Sequence, residues 1–211
     1  NVKIVGSHSG VTPAADGGSH QCIEDIAAMR ALPNMTILSP CDYEQAKVLV
    51  EAAYHIHGPV YLRTSREPMP IVTAPGQAVE IGKAQRLREG TDLCIVSTGV
   101  MTPLSMEAAE VLAAGGIQAA VLNLHTIKPL DTETIAAVAA SCGGRLLVCE
   151  EANRMGGIGE AIAYDLLGRS PVKMAHVAIE DRFGQSGRSA ELLAEYGITV
   201  ENIVSKAKSL F

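Results

Sequence analysis

The residue types best suited to chemistry lie close together near the start of the chain. His8, Asp16 and His20 occur in one stretch that is rich in glycine and serine. Imidazole nitrogens donate or accept hydrogen bonds near neutral pH, and a carboxylate accepts them from hydroxyl groups. The stretch is therefore suited to binding a polyhydroxylated or carbonyl compound. The alternative is that Asp16 and Ser19 cap a following helix and that both histidines are ordinary surface residues.

Metal and serine-nucleophile chemistry have little support in this stretch. The spacing of His8, Asp16 and His20 matches none of the compact zinc-ligand patterns, so we expect no metal site. A serine triad is equally weak, because no Gly-x-Ser-x-Gly elbow occurs.

A second candidate is Arg66, in the segment Thr64-Ser65-Arg66-Glu67. The segment directly follows a predicted strand, Val60 to Arg63. A guanidinium group there is placed to make a bidentate contact with a phosphate or a carboxylate. Alternatively, Arg66 pairs with Glu67 or another surface neighbour.

Two further glycine-containing segments have less specific patterns. Gly156-Gly157-Ile158-Gly159 lies between a predicted strand and a predicted helix, but the third glycine of a dinucleotide fingerprint is replaced by Ile162. We therefore interpret it as a packing turn. The polar loop from Asp181 to Arg188 is compatible with anion binding and equally with an interdomain or intersubunit contact.

The elements around these segments are short apolar runs that alternate with helical patterns, which predicts βα units and a largely parallel sheet. Ligands bind at the carboxyl ends of such strands, where both candidate segments lie. The predicted strands are Val2 to Val5, Thr36 to Leu38, Val60 to Arg63, Leu93 to Val96, Ala119 to Leu124, Leu146 to Cys149 and Met174 to Ile179. Helices are predicted from Gln21 to Leu32, from Asp131 to about Ala140 and after the N-caps Asp42, Thr102 and Thr199, with one more after the glycine turn.

A proline-rich segment from Arg66 to Gln77 predicts a linker. It divides the chain into residues 1–75 and 76–211. Because residues 1–6 already have a strand pattern, we expect further sequence to precede Asn1.

Composition excludes several classes of protein. The 211 residues are 47% hydrophobic, carry a formal charge of −6 and include only 3% aromatic residues with no tryptophan. We therefore expect a folded, soluble protein that binds neither nucleic acid nor a membrane. The five cysteines form no CxxC pair, which favours a reducing, cytoplasmic compartment.

Several of these segments, in this order, resemble the transketolase family, and most closely the separately encoded C-terminal subunit of a two-chain transketolase. The similarity extends over essentially the whole chain. The segments that carry it are Ser7-His8-Ser9, Asp16 to Gln21, Ile23-Glu24-Asp25, Met29 to Met35, Pro40-Cys41-Asp42, Leu62 to Arg66, His125 to Asp131, Glu150-Glu151, Gly156 to Gly159 and Asp181 to Gly187.

The resemblance implies a fold and a cofactor. Residues 1–75 would be the C-terminal part of a parallel-sheet pyrimidine-binding domain. Residues 76–211 would be the transketolase C-terminal domain, a mixed sheet in a three-layer α/β/α arrangement. Thiamine diphosphate would attack a ketose phosphate and pass a two-carbon ketol unit to an aldose phosphate, with magnesium held by another domain or chain.

It also implies roles for the candidate residues. His8, Asp16 and Arg66 would bind the substrate, His8 and Arg66 at the sugar phosphate and Asp16 at a sugar hydroxyl. His20 would lie nearest the reacting carbons and relay protons.

The family's cofactor-activating glutamate would lie upstream of Asn1, and Ala15 stands where many relatives carry an acidic residue. We therefore expect the isolated chain to be inactive, with an N-terminal transketolase subunit as partner in a dimer or heterotetramer. The alternatives are the β component of a 2-oxo acid dehydrogenase and a noncatalytic dimerisation module.

Overall fold

The computed structural model describes residues 1–211 and contains two β-sheets with helices packed against them. The strands are β1 (Lys3–Gly6), β2 (Thr36–Leu38), β3 (Val60–Arg63), β4 (Gln85–Arg88), β5 (Leu93–Ser97), β6 (Ala119–Asn123), β7 (Thr126–Lys128), β8 (Arg145–Asn153) and β9 (Lys173–Ile179). The helices are α1 (Asp25–Ala31), α2 (Tyr43–His55), α3 (Met101–Ala114), α4 (Thr132–Ser141), α5 (Ile158–Leu166), α6 (Ser189–Glu195) and α7 (Val200–Lys208).

The first sheet has the strand order β1, β3, β2, β7. Its strands β1, β3 and β2 are parallel, so their carboxyl ends meet at one edge. β7 pairs antiparallel with β2, although it comes from the second part of the sequence. One strand of the second part therefore completes the sheet of the first.

The second sheet has the order β4, β6, β5, β8, β9, with β4 antiparallel to its neighbour and the other strands parallel. Apolar residues of α3, α6 and α7 pack in the core on one face, and those of α1, α4 and α5 pack in the core on the other. The predicted mixed sheet in a three-layer α/β/α arrangement is confirmed. The second core also contains Ile37 and Tyr61 of the first sheet, so the two sheets share buried surface.

Two of the three predicted helix caps, Asp42 and Thr199, are confirmed, and Asp131 caps the helix that was predicted to start there. The side chains of Asp42, Asp131 and Thr199 each accept a hydrogen bond from the backbone amide three residues later. The predicted cap at Thr102 is wrong, because α3 begins at Met101. The Thr102 hydroxyl instead lies buried, 3.0 Å from Ser97 Oγ and 3.1 Å from Asn123 Oδ1.

Other differences concern short elements. α1 begins at Asp25 rather than Gln21, because Cys22 is bonded back to the loop after β1. β4, β7 and α6 have three to seven residues each, too few for a distinct apolar period. No helix in the structure has the length and apolar character needed to span a bilayer.

Candidate functional site

The loop after β1 folds back beside the loop after β3. Gly10 and Cys22 exchange backbone hydrogen bonds of 2.7 and 3.2 Å, which closes the loop at its base. Both the backbone amide and the hydroxyl of Ser9 donate to the Thr64 carbonyl at 3.1 Å. The two loops that carry the predicted site residues therefore lie together at the carboxyl edge of the first sheet.

Arg66 and Asp16 form an ion pair across these two loops. Arg66 Nη1 lies 2.5 Å from Asp16 Oδ2 and donates to the Pro13 carbonyl at 2.9 Å. Nε and Nη2 of Arg66 make no hydrogen bond within the chain, and the two side chains are 42% and 40% exposed. Arg66 therefore pairs with Asp16 rather than Glu67, and its remaining donors have no partner within the chain.

The two candidate histidines are exposed, and neither takes part in this ion pair. His8 has a positive φ of 65° and makes no side-chain hydrogen bond. His20 Nδ1 lies 3.0 Å from the Ser19 hydroxyl. Neither imidazole is hydrogen-bonded to Arg66 or Asp16, so only Asp16 and Arg66 are in direct contact among the predicted residues.

The alternative interpretation of Asp16 as a helix cap is wrong. Asp16 ends a short 3-10 helix, Ala14–Asp16, and α1 begins only at Asp25 with no side-chain cap. The Asp16 carboxylate is thus available to Arg66 and to solvent.

The loop from Asp181 to Arg188 packs against the first loop, so segments from the two ends of the chain are in contact. Gln21 Nε2 donates to the Gln185 carbonyl at 2.9 Å. A Cβ atom on Gly18 would lie 2.7 Å from the Gly184 carbonyl oxygen, which is too close for any side chain. The sequence left two possibilities open for this segment, anion binding and a packing contact, and the structure shows a packing contact.

A buried polar cluster lies beneath the two loops, and none of its residues was predicted as a site residue. Arg63 Nε and the Tyr61 hydroxyl both donate to Asp25 Oδ2 at 2.8 Å. Burial, followed by the Asp25 charge, raises the pKa of the Tyr61 hydroxyl. Arg63 is the feature of the sequence that could have indicated this cluster. It is a charged residue at the end of an otherwise apolar strand, and a buried charge needs a buried partner.

Glu151, near the end of β8, also belongs to this cluster. Its Oε1 accepts from the backbone amides of Val11 at 2.8 Å and Thr12 at 3.2 Å, and its carbonyl accepts from Arg63 Nη2 at 2.8 Å. Burial raises the pKa of the Glu151 carboxyl to about 7, while the Arg63 charge and the two amides oppose that shift.

Glu150, the residue before Glu151, explains why glycines are needed in the turn from Gly156 to Gly159. Its carboxylate accepts from the amides of Ile158 and Gly159 at 2.8 and 3.0 Å, and Oε1 lies 2.8 Å from His176 Nε2. A Cβ atom on Gly157 would overlap that carboxylate. The turn packs around a buried side chain, as the packing interpretation predicts.

A cleft of about 440 Å³ lies beside Arg66, between the segments that follow β2 and β3. Arg66 is the one predicted site residue that lines it, and His8, Asp16 and His20 do not. No group of three or more His, Cys, Asp or Glu side chains in the chain is arranged to hold a metal ion.

Two protein-family models match the chain. The one described as "Transketolase, pyrimidine binding domain" matches residues 1–71, and "Transketolase, C-terminal domain" matches residues 82–203. These matches lie on either side of the proline-rich segment.

Individual proteins are similar over nearly the whole chain. The 6-deoxy-6-sulfo-D-fructose transketolase subunit SqwH of Clostridium sp. (strain MSTE9) is 39% identical over 98% of the chain, and one subunit of the apulose-4-phosphate transketolase of Phocaeicola vulgatus is 38% identical over 98%. A solved structure described as "Split gene transketolase, inactive beta4 tetramer" superposes with a TM-score of 0.90 at 37% identity and covers 100% of the chain. The chain spans 64%, 66% and 66% of the lengths of these three proteins.

Proposed function

The chain belongs to the transketolase family, and we propose that it is part of one subunit of a two-chain transketolase. The enzyme would transfer a two-carbon ketol unit from a ketose phosphate to an aldose phosphate with thiamine diphosphate. The observation that carries this proposal is the exposed Arg66–Asp16 pair at the carboxyl edge of the first sheet, beside a loop with two exposed histidines. Similarity to two transketolase subunits over nearly the whole chain supports it.

Arg66 would bind the anionic end of the sugar. Asp16 and Pro13 occupy only Nη1, so Nε and Nη2 remain as a fork for two oxygens of one phosphate. A sulfonate is also a tetrahedral anion, so the same fork suits either group. His8, on the adjoining loop, would add a donor to the same anion.

Asp16 and His20 would act nearer the sugar carbons. Asp16 Oδ1 makes no hydrogen bond within the chain and would accept one from a substrate hydroxyl, which selects for its stereochemistry. His20 is exposed and would exchange a proton with the reacting carbonyl or hydroxyl.

Thiamine diphosphate, when bound, would supply the nucleophilic carbanion. We assign the cofactor's diphosphate and its magnesium to another domain or to the N-terminal partner subunit, which is compatible with the lack of a metal-binding cluster in this chain. The proposal therefore includes a multi-subunit assembly, in which this chain contributes the sugar-binding side chains. Residues 1–75 and 76–211 would be its two domains.

A cytoplasmic location is also part of the proposal. All five cysteines are free, and four of them are buried. Buried thiols without disulfides are compatible with a reducing compartment.

The test is reconstitution of the two subunits. The full-length protein that contains this chain is mixed with its N-terminal partner, thiamine diphosphate and magnesium, and ketol transfer from xylulose 5-phosphate or 6-deoxy-6-sulfofructose to an aldose phosphate is followed. Turnover should require both subunits, and Arg66→Ala should reduce it.

The remaining alternatives give different results in the same assay. Turnover of pyruvate or a branched 2-oxo acid in place of the sugars would indicate a dehydrogenase component. A complex that forms but turns over neither class of substrate would indicate a dimerisation module.

A further inference from the structure

Glu151 belongs to β8 of the second sheet, but its carboxylate contacts the first loop of the other domain. Oε1 accepts from two consecutive backbone amides, those of Val11 and Thr12, at 2.8 and 3.2 Å. These amides lie between His8 and Asp16 in sequence, so the contact holds the middle of the loop that carries both residues.

The same residue also holds the end of β3. The Glu151 carbonyl accepts from Arg63 Nη2 at 2.8 Å, and Arg63 lies three residues before Arg66. Glu151 is therefore bonded to both of the segments that meet in the Arg66–Asp16 pair.

The fit around the carboxylate is tight. Gly10 has a φ of 72°, and a Cβ atom there would overlap the Glu151 carboxyl group. Glu151 is 1% exposed, and its Oε2 atom has no hydrogen-bond partner within the chain. A buried carboxylate costs free energy unless its hydrogen bonds offset the loss of water, so the contacts of Glu151 Oε1 decide whether this side chain stabilises the loop.

The neighbouring Glu150 provides an internal comparison. It is equally buried, on the same strand, and accepts hydrogen bonds from two backbone amides, but all its partners lie within the C-terminal domain. The two adjacent carboxylates therefore differ in what they hold: Glu150 holds the start of α5, and Glu151 holds the loop of the other domain.

We propose that Glu151 is a positioning residue for sugar binding, through which the C-terminal domain sets the distance between the loop of His8 and Asp16 and the segment of Arg66. The inference rests on the proposed function, because it assigns those residues to the substrate. It gives the C-terminal domain a direct part in substrate affinity without any contact to the sugar.

The experiment compares Glu151→Ala, Glu151→Gln and the matched control Glu150→Ala in the full-length, two-subunit enzyme. Loss of both amide contacts in Glu151→Ala should raise KM for the ketose phosphate about 10-fold with a smaller change in kcat. Glu151→Gln keeps one acceptor oxygen and should restore most of the affinity. Glu150→Ala should lower thermal stability and leave KM unchanged.

Hydrogen exchange provides a readout that does not depend on activity. The amide hydrogens of Val11 and Thr12 should exchange faster in Glu151→Ala than in the wild type or Glu150→Ala. If Glu151→Ala does not fold, hydrogen exchange is measured on Glu151→Gln at pH 8 instead. The exchange rates of the Val11 and Thr12 amides should then rise as well, but by less.

Three results would overturn the inference: unchanged KM together with unchanged exchange of these amides in the Glu151 variants, an equal rise of KM in Glu150→Ala, or faster exchange spread evenly over the whole chain. If the wild-type enzyme shows no ketol transfer, the proposed function fails, and with it the role in sugar binding. The amide exchange then still decides whether Glu151 holds the loop.

Discussion

Arg63 and Asp25 form a buried ion pair at the end of β3, the strand that precedes Arg66 in the chain. Arg63 Nε lies 2.8 Å from Asp25 Oδ2, and the two side chains are 2% and 3% exposed. The end of β3 thus carries two arginine–aspartate pairs, one in the core and one at the surface. Water screens the exposed pair of Arg66 and Asp16 but not the buried pair of Arg63 and Asp25. We therefore expect the buried pair to contribute more to stability.

The two aspartates should have unequal effects on stability. Asp25→Ala leaves the Arg63 guanidinium buried without its carboxylate and should reduce the free energy of unfolding by about 3 to 5 kcal/mol. Asp16→Ala removes an exposed pair and should cost about 1 kcal/mol or less. Urea unfolding of the two variants measures both values, and equal losses would contradict the assignment of Asp25 as the structural partner.

Arg66→Ala should weaken substrate binding with little loss of stability. Because its free donors would bind the sugar's anionic group, we expect KM for the ketose phosphate to rise by about 10- to 100-fold. Arg154→Ala is the matched control, since Arg154 is also exposed and also paired with a carboxylate, that of Glu180. Steady-state kinetics of the reconstituted enzyme should separate them; a similar KM in both variants would argue against Arg66 as the anchor.

His20→Ala should reduce kcat more than it changes KM. Loss of a proton-transfer group typically lowers kcat by about 100-fold or more. His57→Ala serves as the control, because His57 is an exposed histidine on the amino-terminal side of β3. A His20 variant with wild-type kcat would remove this residue from the catalytic role.

Glu151 should make stability depend on pH. Its pKa is about 7 in the folded chain against 4.5 for an ordinary glutamate, so between these values the folded state holds a proton that the unfolded state has released. Stability should therefore fall as pH rises from about 4.5 to about 7. The facing charges are those of Arg63 on β3 and Asp25 on α1.

Glu151→Gln should flatten this dependence, because the amide does not titrate. Urea midpoints between pH 5 and 8 provide the measurement. Glu80→Gln, at an exposed position, should keep the wild-type slope. An unchanged slope in Glu151→Gln would show that other groups cause the dependence.

Gly10→Ala should be more destabilising than the same change at Gly76. Both glycines have positive φ, 72° and 66°, so alanine is strained by about 1 kcal/mol at either position. Only at Gly10 would the new Cβ also overlap the Glu151 carboxyl group, whereas nothing lies within 4 Å at Gly76. Comparing the thermal unfolding midpoints of the two variants isolates the contact with Glu151. Equal decreases in the midpoint would show that the Glu151 carboxylate moves aside without destabilising the fold.

The local features of this protein could be read from its sequence. Alternating apolar runs predict the α/β fold, and Asp42 and Thr199 are predictable as caps because a cap depends only on residues within one helical turn. The order of motifs pointed to the transketolase family. The two loops with the candidate residues were predicted to lie at one sheet edge, since both follow parallel strands.

The tertiary structure decided which side chains meet. The pairing of β7 with the first sheet, the contact of Arg63 with Asp25 and the bonds from Glu151 to Val11 join residues that are distant in sequence. Glu151 and Val11 are separated by 140 positions, and no periodicity or spacing rule extends that far. Whether a charged residue is a solvated surface group or a buried partner depends on what packs against it, and that follows only from the folded arrangement of both sheets.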